Sequence, residues 1–116
     1  MIKLLVYRTE HGVEPYKEFL QRIKDPKAKS AVVMAQLNME RGLPGDVKSL
    51  GGGLKEKRIQ AGAGYRIYFY NDGQDIIILL GGSSKKDQQR EIENAKSYLK
   101  DYKRQKNALS KKEDIS

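Results

Sequence analysis

The spacing of apolar residues changes several times along the chain, and each change marks an element. Ile2 to Arg8 is rich in aliphatic and β-branched residues and predicts a strand. Glu10 to Val13 reads as a connection. Pro15 suits the first turn of a helix, where its missing N–H costs nothing. Tyr16, Phe19, Leu20 and Ile23 follow at helical spacing as one apolar stripe. Asp25-Pro26 restarts the pattern, with Asp25 as N-cap and Pro26 as the first helical residue. Ala28, Val32, Ala35 and Met39 give the second helix an inner face, which Val33 and Leu37 broaden. Gly42 ends it, and Pro44 lies just beyond.

Gly45 to Gly53 is expected to be a glycine-rich connector. It lacks the Gly-Lys-Ser/Thr ending that a phosphate-cradling loop requires. From Leu54 the period is two. Leu54 to Gln60 and Tyr65 to Tyr70 predict strands joined through Ala61-Gly62-Ala63-Gly64, and Asn71 to Gln74 has hairpin-turn chemistry. Ile76 to Leu80 is an unbroken apolar run, the signature of a central strand covered on both faces. Gly81 to Ser84 is expected to end that strand. A last helix then starts between Ser84 and Asp87, with Ile92, Ala95, Leu99 and Tyr102 along one stripe. The order β-α-α-β-β-β-α predicts an α+β fold in one domain, residues 1–102. The polar stretch 103–116 is expected to fray as a tail.

Charge adds a class of partner. Among 116 residues, 23 are Lys or Arg and 15 are Asp or Glu, a net charge of +8. A small domain this basic is suited to a polyanion. The absence of cysteine excludes disulfides, thiolate nucleophiles and thiolate zinc sites. No apolar run is long enough for a signal peptide or a membrane span, so a cytoplasmic location without a membrane partner is expected.

Pairing the two central strands symmetrically about Gly62 sets Arg58 opposite Arg66, Glu56 opposite Tyr68 and Leu54 opposite Tyr70. Alternate residues share a face, so one face gathers Glu56, Arg58, Arg66, Tyr68 and Tyr70. The other carries Ile59, Tyr65, Ile67 and Phe69 and is the natural seat for helices. It also receives Lys55 and Lys57, which fit an apolar face poorly. Two arginines directly opposite each other repel unless an anion lies between them, and the guanidinium fork suits a phosphate. Tyrosines beside them offer stacking surfaces for unpaired bases. An alternative is that Glu56 neutralises Arg58 and the tyrosines cover the sheet.

The ordered set Gly45-Asp46-Val47-Lys48, Gly53-Leu54-Lys55-Glu56-Lys57-Arg58-Ile59, Gly64-Tyr65-Arg66-Ile67-Tyr68-Phe69 and Leu79-Leu80-Gly81-Gly82, followed by Lys85, Gln88, Ile92 and Ala95-Lys96, resembles the addiction-module killer proteins of the RelE/ParE toxin superfamily, in their phage-derived, HigB-like group. The resemblance spans about Gly45 to Leu99. It implies a helical hairpin packed on a small, mainly antiparallel sheet, with a C-terminal helix. It also implies a type II toxin, neutralised by a helix-turn-helix antitoxin with which it binds operator DNA. RelE-like members cut messenger RNA on the ribosome without a cofactor or metal. ParE-like members inhibit DNA gyrase instead, and a nontoxic nucleic-acid-binding module is a third reading.

Metal-free RNA cleavage needs a proton taken from the 2′-hydroxyl, a stabilised phosphate and a proton given to the 5′-oxygen. By the resemblance, Arg66 matches the phosphate-stabilising arginine, Arg58 falls near a second basic position, and Lys85 or Lys86 falls where the family carries a basic group after the last strand, with Lys85 taken as the catalytic one. Glu56 is a candidate base or an ion-pair partner. Lys86, Tyr68, Tyr70 and Lys57 complete the expected RNA-binding set. Some members carry a C-terminal histidine or tyrosine acid. Here the one histidine, His11, lies in an early loop, and Tyr102 is on the apolar stripe.

Overall fold

The computed structural model describes residues 1–115, with side chains as far as Ser110. The chain forms β1 (Lys3–Val6), α1 (Pro15–Arg22), α2 (Pro26–Glu40), β2 (Val47–Gly51), β3 (Leu54–Ile59), β4 (Tyr65–Asn71), β5 (Ile76–Ser84) and α3 (Gln88–Ile115). The expected start of α2 is realised: the Asp25 carboxylate accepts from the Lys27 N–H at 3.0 Å, and Pro26 opens the helix. The five strands form one mixed sheet in the order β1-β5-β4-β3-β2. β1 runs parallel to β5, and the remaining neighbours are antiparallel. The fold class is α+β.

The apolar run in β5 explains the layering. Ile77 and Leu79 face a core shared with Tyr16 and Phe19 of α1 and Ala28, Val32 and Met39 of α2. Ile78 and Leu80 face the opposite way, onto Tyr7, Leu54, Tyr68, and Ala95 and Leu99 of α3. The sheet is therefore covered on both sides. The β3–β4 register is the one that symmetric pairing about Gly62 predicts, with Arg58 opposite Arg66, Glu56 opposite Tyr68 and Leu54 opposite Tyr70.

Three boundaries differ from expectation. The Gly45–Gly53 stretch contains β2, whose Val47 and Leu50 turn to opposite cores. Its glycines at 51–53, with φ of 94°, 63° and 91°, make the tight turn into β3. Gly81 to Ser84 extends β5 rather than ending it, pairing with β4 as far as Tyr65–Ser84. At Gly82 a Cβ would overlap the Phe19 ring, so glycine lets α1 lie directly on the strand. Gly82→Ala is expected to cost about 1–3 kcal/mol by overpacking, read as a shift in the urea midpoint. An unchanged midpoint would show that the contact can relax.

The third difference is at the C-terminus. Residues 103–115 continue α3, where a frayed tail from 103 is expected from the sequence. Long-range polar contacts hold its middle turns. The Tyr7 hydroxyl donates to Asp101. Asp72 accepts from the Tyr102 hydroxyl and from Lys106 Nζ at 2.7 Å. The bonds from Lys106 and Tyr102 hold the Asp72 carboxyl below the ordinary value of 3.8, and the bond from Tyr7 does the same for Asp101. A carboxylate held low in the folded state adds stability above its ordinary value and loses it as pH falls through the folded one. Thermal melts are therefore expected to show stability dropping below about pH 4. The Asp72→Asn, Asp101→Asn double variant should be less stable at neutral pH, with a shallower decline in acid. An equally steep decline would place the sensitivity elsewhere.

Candidate functional site

Register brings Arg58 of β3, Arg66 of β4 and Ser83 of β5 into one row across three strands, on the face that α3 covers. The next row inward holds Glu56 and Tyr68. α3 begins beside these rows, and Gln88 in its first turn donates through Nε2 to Glu56 Oε1 at 2.8 Å.

Glu56 is the centre of this cluster. Its side chain is 0% exposed, and Arg66, at 11%, places Nε 2.8 Å from Oε1. The Arg66 Nε–H is not aligned for a hydrogen bond to any group, so this contact is coulombic. Glu56 Oε2 is buried without a hydrogen-bond partner. A carboxylate stripped of water is sustained by a paired cation, and Arg66 is that cation. Of the two roles expected for Glu56, the geometry carries the ion pair. It also changes the partner from Arg58 to Arg66. The role of base requires an outside hydroxyl to reach the carboxylate, and the Glu56 side chain is fully enclosed.

Arg58 is half-buried, and its Nε is buried without a hydrogen-bond partner. It enters no ion pair among the described residues. The row therefore holds two cations and one carboxylate already committed to Arg66. Lys85 continues the β4–β5 pairing, its backbone N–H donating to Gly64 O at 2.9 Å. Its side chain is exposed and lines an open depression of about 370 Å³ with the β3–β4 turn, Gln60 to Gly64. Lys86 is exposed beside it. Lysines before a helix start oppose the helix dipole, so this end of the sheet concentrates positive charge at some local cost.

Three expected RNA contacts are corrected. Tyr68 is fully buried under α3 and hydrogen-bonds Ser83 Oγ at 2.8 Å. Burial pushes its pKa up to about 12, against the opposing effect of the Ser83 bond, so it stays a neutral phenol with no face free for a base. Tyr70 packs on Tyr102, with ring centroids 6.2 Å apart, and Lys103 Nζ sits 5.1 Å over its ring. Lys57 lies on the other face, buried, and donates to the Pro44 carbonyl. The common reason is that α3 occupies the face expected to be open, while parity turns Lys57 away from it.

The basic residues beyond the cluster divide in two. Lys96, Lys100 and Lys103 rim a groove of about 500 Å³ between α3 and the β2–β3 turn, floored by Leu50, Leu54 and Leu99. Arg104 and Lys106 are taken up by Asp101 and Asp72. The side chains of Lys111 and Lys112, in the polar stretch 103–116, lie outside the described residues. Gln88 and Ser83 are the contributors that sequence reading missed. Each contacts a partner 32 and 15 residues away, and no local period signals such a contact. Among the described residues no group of three His, Asp or Glu side chains is placed to hold a metal ion, and no helix is long and apolar enough to cross a membrane.

Fold and site together define a small basic α+β protein, with a helix-covered mixed sheet and an arginine pair at one end. A protein of Haemophilus influenzae, described as uncharacterized, is 35% identical over 81 residues, covering 70% of this chain and 82% of the relative. The chain belongs to the same family as that protein. No family model matches it.

Proposed function

We propose that this protein is the toxin of a type II toxin–antitoxin pair, of the RelE/ParE kind, and that it cleaves messenger RNA on the ribosome. The observation that carries the reading is the in-register Arg58–Arg66 pair, with Arg58 paired to no carboxylate among the described residues and Arg66 fixed by a buried one. Two guanidinium groups held side by side suit the doubly charged phosphorane of an RNA cleavage transition state. The ordered sequence resemblance supports the same reading, as does the net charge of +8.

In the proposed reaction the 2′-oxygen attacks phosphorus and its proton leaves to solvent. The bond to the 5′-oxygen breaks, leaving a cyclic phosphate and a 5′-hydroxyl. Arg58 and Arg66 hold the nonbridging oxygens. Lys85, exposed at the same end of the sheet, donates the proton that the departing 5′-oxygen takes. Glu56 and Gln88 keep Arg66 aimed. The partners of this reading are the ribosome with its message, a helix-turn-helix antitoxin, and operator DNA bound by the toxin–antitoxin complex.

Induced expression in a bacterial host is expected to arrest growth. Co-expression of a small helix-turn-helix protein encoded beside the gene should restore it. Normal growth with the protein present at full level by immunoblot would contradict the reading.

A further inference from the structure

Parity puts two lysines of β3 on an apolar face, and the structure accounts for one of them. Lys57 donates to the Pro44 carbonyl and ties down the loop between α2 and β2, with burial lowering its pKa. Lys55 has no such partner. It enters no ion pair among the described residues. Instead it lines a cavity of about 240 Å³ between the C-terminal end of α2 and the sheet.

Met39, Val47, Phe69 and Ile77 make that cavity apolar, and Asn71 is its second polar lining residue. Asn71 Oδ1 is buried and has no hydrogen-bond partner. The cavity thus combines an apolar body with a cation that has no carboxylate partner among the described residues.

We propose that it binds a hydrophobic residue bearing a free carboxylate, the chemistry shared by a peptide C-terminus and an N-acyl amino acid. The cavity falls below the roughly 300–1,000 Å³ of sites for drug-sized ligands, and one aliphatic side chain suits it. Lys55 pairs with the carboxylate. The apolar lining takes the side chain. A free ammonium would bring like charge toward Lys55. Capture of a terminal carboxylate beside a side-chain pocket is an established mode of peptide recognition. This face is opposite the arginine pair, so the inference stands apart from the RNA reading.

The test is an amide-shift NMR titration of the full chain with N-acetyl-L-leucine and with the peptide Ser-Gly-Ser-Leu. Each is compared with its C-terminal amide. Saturable shifts are expected at Val47, Lys55 and Asn71, with the amides weaker by about tenfold or more. Lys55→Met should remove that carboxylate preference, so that acid and amide bind alike. Tighter binding of the peptide would assign the site to chain termini, and equal binding to small N-acyl acids. Absence of saturable shifts up to about 10 mM ligand, or a Lys55→Met protein, folded by its spectrum, that still prefers the acid, would overturn the proposal.

Discussion

Arg66→Met is expected to destabilise the fold by about 3–5 kcal/mol, the range for breaking a buried ion pair from one side. The reason is the carboxylate left behind. Glu56 is wholly enclosed, and after the substitution the Gln88 amide would be its one remaining polar contact. Methionine fills much of the arginine stem's volume, so the loss reports charge more than packing. Adding Glu56→Gln to Arg66→Met should recover a large part of the loss, because a neutral amide is far cheaper to bury than a carboxylate. Urea unfolding of the wild type, both single variants and the double variant would give the coupling directly. A loss under about 1 kcal/mol for Arg66→Met would mean the pair behaves like an exposed one, and Glu56 would lose its assigned role.

Arg58→Ala is expected to have the opposite profile. Its Nε has no partner to forfeit, and its guanidinium faces a like charge across the strand pair. Stability should therefore change by less than about 1 kcal/mol, or rise slightly. Activity should fall by about 10²–10³-fold, the usual cost of removing one preorganised donor from a developing anion. The measurement is the cleavage rate of a ribosome-bound message in a purified translation system, alongside a urea melt. An Arg58→Ala protein that cuts at the wild-type rate would remove the arginine pair from the chemistry. The two substitutions thus separate the residue that holds the site together from the residue that is free to act.

Sequence went furthest where a period or a turn residue had only one consistent reading. Ile76 to Leu80 required cover on both faces, and β5 received it. Symmetric pairing about Gly62 placed Arg58, Glu56 and Leu54 against the partners they have. The boundaries failed where side chains carry little information. Gly81 and Gly82 look like a break, yet Gly82 is small because Phe19 lies against it. Lys48-Ser49 hides the alternation of β2. The polar residues after Tyr102 look frayed because their anchors, Asp72 and Asp101, pair them with distant parts of the chain or with neighbouring turns.

The site was legible as a list of residues and illegible as a surface. The stripe Ile92, Ala95, Leu99 and Tyr102 announces a buried helix face but does not say which side of the sheet it covers. Once α3 lies over Leu54, Tyr68 and Ile78, Tyr68 becomes core and Tyr70 becomes a packing partner. The arginine row survives at the edge of that cover. Of the two roles open to Glu56 in the sequence, base or ion-pair partner, the same cover leaves it as the buried ion-pair partner.

The central claim is that the arginine pair acts on messenger RNA, and mapping of transcript 5′ ends after brief induction tests it most directly. New 5′-hydroxyl ends at codon-linked positions are predicted in cells making the wild-type protein, and their absence in cells making equal amounts of Arg58→Ala. Growth arrest with intact messages, accompanied by a DNA-damage response and blocked supercoiling by the purified protein, would contradict the account and assign the protein to gyrase instead.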